Sequence, residues 1–305
     1  MSSIPRDCVR IVEVSPRDGL QNIPEHIPTA TKLALIQRLS RTGLTTIEIT
    51  SIVSPRAVPQ LSDCRELLSH ENQENPLHLP VLIPNLKGLT IATSLGVRSI
   101  SVFISATEPF SQNNTKCTVS EGLTRARDVT IQAKEMGMSV RGYISCIFTD
   151  PISNTPTDPE DVLRCTRELL EMGVDEVALS DTTGTGTPSL VHSLITYLTI
   201  SPNTIPLNKL AVHFHDSYSR GLSNVWAAYE AGIRVFDGSV AGLGGCPFAP
   251  GARGNVASEE VVGMFEGRGV RTGVDLDMLE GVAGWVRGVL GQYQDNDIVM
   301  MQLLP

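Results

Sequence analysis

Two histidines separated by one residue, His213 and His215, lie in a stretch that reads as a β-strand, Leu210-Ala211-Val212-His213-Phe214-His215-Asp216. On a strand, residues i and i+2 project to the same face with Cα atoms roughly 6–7 Å apart. Two imidazoles so placed can converge on one cation while Phe214 points the other way. The plainer alternative is a pair of polar side chains filling space at a strand end. An acidic residue on an adjacent strand end favours the cation, and Asp18 supplies it, in Ser15-Pro16-Arg17-Asp18-Gly19-Leu20-Gln21-Asn22. With an amide oxygen from Asn255, a set of two His, one Asp and one Asn suits Mg2+ or Mn2+ better than Zn2+.

Other residues carry complementary chemistry. Arg17 beside Asp18 reads either as a surface pair in a Pro/Gly turn or as a guanidinium aimed at oxygen that gains charge when an enolate forms. Glu48 falls inside a strand-like run and is expected to be buried. Carboxylates are seldom buried unpaired, and Arg17 is the simplest partner. Cys246, in Gly244-Gly245-Cys246-Pro247, sits in a loop built for sharp turning, which favours proton transfer over the usual fate of a free cysteine as a small buried hydrophobe. Asn255 has a second reading as an N-cap for a helix starting near Ala257, with Glu259 in its first turn. Gln21 and Thr182 are candidates for substrate binding.

These residues need a frame, and the hydrophobic pattern provides one. Strands are expected at residues 9–14, 46–49, 77–82, 99–104, 139–147, 176–180, 210–214 and 235–239. Helices are expected near 29–41, 86–95, 120–136, 159–172, 188–198 and 217–231, with a turn or two near 64–69. Gly43, Gly96, Gly137, Gly173 and Gly232 follow helical segments, as glycines in the left-handed C′ position do. Eight strand–helix repeats imply a parallel sheet closed into a TIM (β/α)8 barrel, whose chemistry gathers at the carboxyl ends of the strands. Every candidate above falls there, and closure makes strands one, seven and eight neighbours. An open doubly wound sheet ranks second, because no Gly-x-Gly-x-x-Gly follows the first strand. Further helices near 257–266 and 276–290 form a C-terminal helical extension (about 256–305) of a single domain spanning 1–305.

Bulk properties narrow the function. The 305 residues carry a net charge of −9, which argues against a nucleic-acid or membrane-surface role, since both need positive fields. No apolar run reaches the roughly 18 residues of a membrane span. Six scattered cysteines with no CxxC pair read as reduced thiols. Little sequence precedes the first strand, and Leu303-Leu304-Pro305 is not a peroxisomal address, so a cytoplasmic location is expected, or a mitochondrial one if the N-terminus is incomplete.

The motifs also resemble a known family over nearly the whole chain. Val12-Glu13-Val14-Ser15-Pro16-Arg17-Asp18-Gly19-Leu20-Gln21-Asn22, Glu48-Ile49-Thr50-Ser51, and Val240-Ala241-Gly242-Leu243-Gly244-Gly245-Cys246-Pro247-Phe248-Ala249 with Gly254-Asn255 are similar to motifs of the 3-hydroxy-3-methylglutaryl-CoA lyases. The Arg-Asp-Gly and His-x-His-Asp elements are shared more widely with condensing synthases. The Gly-Gly-Cys-Pro loop favours the lyase branch over a synthase, and both over a non-catalytic barrel. The resemblance implies Asp18, His213, His215 and Asn255 around Mg2+ or Mn2+, Arg17 as stabiliser of an enolate, Cys246 as general acid, and Glu48 and Glu259 in support, with His213 also handling protons. It implies an acyl-CoA substrate, cleavage to acetyl-CoA and acetoacetate, and a setting in leucine degradation or ketone-body formation; a homodimer is expected. The chain departs from the family pattern at Arg56-Ala57, where members usually read Lys-Trp, at Thr107 and Pro109, and at Thr149-Asp150. These sites bear on the acyl or CoA pocket rather than on the metal.

Overall fold

The computed structural model describes residues 7–70, 77–244 and 254–301, the last eleven as backbone only. Eight parallel strands follow one another around a barrel: β1 (Arg10–Glu13), β2 (Thr46–Ile47 and Thr50–Ser51), β3 (Val81–Leu82), β4 (Ser99–Ser105), β5 (Ser139–Ser145), β6 (Glu176–Asp181), β7 (Leu210–Phe214) and β8 (Val235–Gly238). The sheet begins at Thr46–Ile47 and ends at Thr50–Ser51, the two halves of β2, so it closes on itself. Hydrogen bonds span the break: the Glu48 N–H donates to Glu13 O (2.8 Å) and the Ile49 N–H to Pro80 O (3.1 Å). The expected TIM barrel is what the chain forms.

Both faces of every strand are covered, as in parallel sheets generally. Inside, Val12, Val14, Tyr143, Ala178, Ala211 and Val235 form a small cluster. Outside, a far larger apolar layer lies between strands and helices, and Val102, Phe214 and Phe236 belong to it. Helix starts are written locally. Thr118 and Glu121 form a reciprocal capping box for Val119–Glu135, and Asp158 with Pro159 opens Pro159–Glu171. The five glycines expected to end helices all have positive φ, between 71° and 105°.

Some details differ from expectation. A helix at Glu108–Thr115 was not anticipated; only Phe110 and Ser111 in it are buried, so it lacks the apolar stripe that marks a helix in sequence. It is held from outside, by Asp150 accepting the Phe110 N–H at 3.1 Å. A small hairpin, Thr149–Asp150 with Thr155–Pro156, follows β5, which stops at Ser145 rather than 147. The C-terminal helices are Ser258–Glu266 and Leu276–Met301. No helix among the described residues is long and apolar enough to cross a membrane.

Candidate active site

After β1 the chain makes one wide turn, Ser15–Gly19, in which the Gly19 N–H reaches Val14 O (3.2 Å) and the Leu20 N–H reaches Ser15 O (3.0 Å). Such i→i+5 turns recur at functional sites. Here the turn aims Arg17 and Asp18 into the barrel mouth. A Cβ at Gly19 would stand 2.7 Å from Ser239 Oγ, so only glycine lets this turn pack beneath the loop after β8. Glu13 fastens the two together from below. Its buried carboxylate accepts from Ser15 N–H (2.9 Å), Val240 N–H (3.0 Å) and the Ser258 hydroxyl (2.6 Å). Burial pushes the Glu13 carboxyl up, though these donors oppose it.

Arg17 is not a surface pair. It is buried, and its Nε donates to Glu48 Oε2 at 2.6 Å while Nη1 meets Asp18 Oδ1 at 2.5 Å. Burial opposes the guanidinium charge, but Glu48 and then Asp18 hold its pKa above the ordinary value. Glu48 lies at the break in β2, fully buried, and accepts further bonds from Ser101 Oγ (2.6 Å) and Tyr143 OH (3.3 Å). The partnership expected for Glu48 is present.

His213 ends β7 beside Phe214, and His215 follows one residue past the strand. Ligand atoms of Asp18, His213 and His215 all lie within 4.8 Å of one another. His213 Nε2 faces Asp18 Oδ2 at 3.9 Å, too far for a hydrogen bond. Its Nδ1 is 3.1 Å from Asp237 Oδ2. Asn255 reaches the same place from the far side of the loop after β8: it bridges His215, and its Nδ2 donates to Asp18 Oδ2 (2.8 Å) and Leu243 O (3.0 Å). As placed, the amide nitrogen faces Asp18, so a role as oxygen ligand needs the side-chain amide turned over. Asn255 is not a helix cap; Ala257 holds that position and makes no side-chain bond.

Gln21 Nε2 donates to Asp18 Oδ1 at 2.7 Å, on the rim of the cluster. Thr182 accepts the Cys146 N–H at 2.9 Å, tying the ends of β5 and β6 together. Glu259 lies at the start of Ser258–Glu266. It accepts the Ala241 N–H (3.0 Å) and pairs with Arg287 (2.7 Å), bracing the base of the loop after β8. That loop needs glycine at 244, where φ is +113° and a Cβ would meet Asn255 Nδ2 at 2.6 Å. Cys246 lies outside the described residues.

The residues that sequence reasoning missed lie deeper. Arg141 on β5 holds Asp237 on β8 with two bonds (2.6 and 3.0 Å) and Glu176 on β6 at 3.1 Å. Arg10 pairs with the same Glu176 from β1. Their one sequence signal is charge at strand positions whose parity points inward.

The donor set fits a divalent cation. His215 Nδ1 is buried with no hydrogen-bond partner. Burial, reinforced by His213, lowers the His215 imidazole to about 4, which keeps a lone pair available near neutral pH. Burial pushes the Asp18 carboxyl up, yet Arg17 and the two histidines hold it well below the usual carboxylate range. Within the barrel the three cations Arg10, Arg17 and Arg141 pair with the four carboxylates Asp18, Glu48, Glu176 and Asp237, so this network carries one net negative charge.

Fold and site together define a TIM-barrel protein with a candidate cation site of two histidines and one aspartate at the carboxyl end of the strands. The HMGL-like family profile matches residues 8–286, and the chain belongs to that family. It is 46% identical over 284 residues to the mitochondrial hydroxymethylglutaryl-CoA lyase of Arabidopsis thaliana, covering 93% of this chain and 60% of that protein. Against the 3-hydroxy-3-isohexenylglutaryl-CoA/hydroxy-methylglutaryl-CoA lyase of Pseudomonas aeruginosa it is 43% identical, covering 93% of each. An HMG-CoA lyase from Acinetobacter baumannii, solved in complex with coenzyme A and 3-methylmalate, superimposes with a TM-score of 0.88 at 34% identity, covering 95% of this chain and 93% of that one.

Proposed function

We propose that this chain is a divalent-cation-dependent lyase that cleaves 3-hydroxy-3-methylglutaryl-CoA to acetyl-CoA and acetoacetate. The carrying observation is the convergence of Asp18, His213 and His215 beside the buried Arg17 guanidinium, in a chain so similar to lyases of that name. Asp18, His213 and His215 would hold Mg2+ or Mn2+, with Asn255 joining through its oxygen, and the ion would supply Lewis-acid polarisation of substrate oxygens.

The chain's own residues account for the rest. Removal of the proton from the tertiary hydroxyl lets its electrons form the ketone of acetoacetate as the C2–C3 bond breaks. The electrons of that bond pass to the thioester as an enolate, and Arg17 is the fixed positive charge for its oxygen. His213 presents a single free nitrogen, Nε2, because Nδ1 is engaged by Asp237. That nitrogen serves as ligand or as base, not both at once. Gln21 keeps Asp18 aligned, and Glu48 keeps Arg17 aligned. Incubating the metal-loaded enzyme with a small panel of acyl-CoA esters and analysing the products by mass spectrometry tests this reading. Acetyl-CoA and acetoacetate are expected in equal amounts, and an intact 3-hydroxy-3-methylglutaryl-CoA overturns it.

Protonation of the enolate completes the reaction, and Cys246 is assigned to it as general acid. General acid–base groups contribute about 10²–10⁴-fold, so Cys246→Ala is expected to lower kcat by roughly 10²-fold while metal affinity stays unchanged. Near-normal kcat in that variant would reduce the cysteine to loop packing.

A second, wider reading concerns the acyl group, and the Pseudomonas relative favours it, because its name covers a larger 3-substituent. Ala57 is exposed in the turn after β2, and neighbouring Val53 and Ser54 border a cavity of about 310 Å³ that runs from the ends of β3 and β4 outward beneath Glu108–Thr115 and Val119–Glu135. An alanine where family members usually carry tryptophan leaves room beside this rim. The expected result is comparable kcat/KM for the 3-methyl and 3-ethyl substrates, with Ala57→Trp shifting preference toward methyl by about 10-fold or more. A wild type that rejects the ethyl compound, unchanged by tryptophan, removes position 57 from the pocket.

A further inference from the structure

We infer that Asp237, clamped by Arg141, is a positioning residue that fixes the tautomer and direction of His213. This deepens the proposed function and rests on its cation site.

Asp237 projects from β8 into the barrel one level below the mouth, and it is 3% exposed. Its Oδ1 accepts from Arg141 Nη2 (2.6 Å); its Oδ2 takes both Arg141 Nη1 (3.0 Å) and His213 Nδ1 (3.1 Å). A carboxylate gripped by both arms of a guanidinium is an acceptor only. His213 Nδ1 must therefore be the donor, and in the neutral ring the lone pair sits on Nε2, which faces Asp18. Two acceptors then oppose each other at 3.9 Å, an arrangement that a cation between them relieves.

The clamp is anchored well away from the mouth. Arg141 Nε binds Glu176 Oε1 (3.1 Å), Nη1 also donates to Tyr143 OH (2.7 Å), and the guanidinium lies 4.8 Å from the centre of the Tyr143 ring. The same tyrosine stands edge-on to His213, with ring centroids 6.0 Å apart. His213 is thus walled on one side and pinned at Nδ1, whereas the other histidine has no bond at Nδ1. A ligand histidine whose second nitrogen is held by a carboxylate keeps its tautomer and ring orientation. Exchanging that carboxylate for an amide reverses the logic, as it does in the Ser-His-Asp triad. With its oxygen drawn to Arg141, the amide of an Asp237→Asn variant would present NH2 to Nδ1, moving the ring proton to Nε2 and blocking the site.

The test uses the full chain stripped of metal and titrated with Mn2+ alone, free Mn2+ being read by electron paramagnetic resonance. The ring tautomer of His213 is read in parallel by 15N NMR of the metal-free protein. Asp237→Asn is expected to weaken Mn2+ binding about 10–100-fold and to move His213 from the Nδ1–H to the Nε2–H form. The double variant Asp237→Leu with Arg141→Met removes both charges together, so no buried ion is left alone. It carries the same comparison if the single variant does not fold, and weaker Mn2+ binding is again expected. Folded variants with wild-type Mn2+ affinity and an unchanged tautomer overturn the inference. A wild type that binds no Mn2+ overturns the proposed cation site instead, and the tautomer readout then decides the role of Asp237 by itself.

Discussion

Exhaustive chelation of the wild-type enzyme is expected to abolish cleavage reversibly, and His213→Ala to lower kcat by at least about 10³-fold. Lewis-acid stabilisation of developing charge is worth several kcal/mol, and each 1.36 kcal/mol is about tenfold in rate. Three candidate ligands converge on the site, and removing His213 takes away the one whose second nitrogen is held from inside the barrel by Asp237. The variant should still fold, because Arg141 continues to neutralise Asp237 through two bonds and no buried charge is stranded. Rates of acetyl-CoA release are measured after chelation and again after adding Mg2+ or Mn2+. In the wild type, return of activity is expected with either ion; in His213→Ala, little return at concentrations that restore the wild type. Full activity after chelation, with metal content verified as nil, removes the cation from the reaction.

The residues that make this prediction were legible because they break the rules of their elements. Parallel strands buried on both faces are largely apolar, so His213, His215 and Asp18, coming where such strands end, announce themselves by type, and period-two spacing puts both imidazoles on one side. Glu48 was legible for the opposite reason, as a carboxylate where only a paired one survives. Arg141 and Asp237 were not, since they stand 96 residues apart and each looks like a single charge in an apolar strand. Only the closed barrel brings β5 and β8 across from each other. Asn255 was placed correctly near the cluster, but its direction depends on the chain returning from the loop after β8 to pair with His215, a contact that leaves no local pattern. The Glu108–Thr115 helix was hidden for a third reason: its stability comes from Asp150 and neighbouring chain rather than from an amphipathic stripe of its own. The folding signals are thus mostly local, whereas the support of the site is long-range and electrostatic.

Arg17→Gln is expected to lower kcat by about 10³–10⁴-fold, with little change in KM. Loss of one preorganised oxyanion donor costs about 10²–10³-fold, and this arginine does more than donate. It is the only guanidinium among the described residues bonded to both Glu48 and Asp18, through Nε at 2.6 Å and Nη1 at 2.5 Å. Glutamine can satisfy one of those partners and neutralises neither, so Asp18 is held only by Gln21 and Asn255 among the bonds described and Glu48 is left as a buried carboxylate with no cation beside it. A misplacement of about 1 Å can cost about 10²-fold, so any drift of Asp18 adds to that loss. Breaking a buried pair by removing one partner typically costs about 3–5 kcal/mol of stability, so the thermal midpoint should fall as well. A second substitution separates the two effects. In Arg17→Gln with Glu48→Gln the stranded charge is gone, the Ser101 and Tyr143 bonds still have an amide oxygen to reach, and the midpoint should recover most of the loss. Activity should not recover with it, because the positive charge beside the enolate oxygen is still missing. The measurement is kcat and thermal midpoint on the two variants and the wild type, and a double variant that regained both would make Arg17 a structural residue rather than a catalytic one.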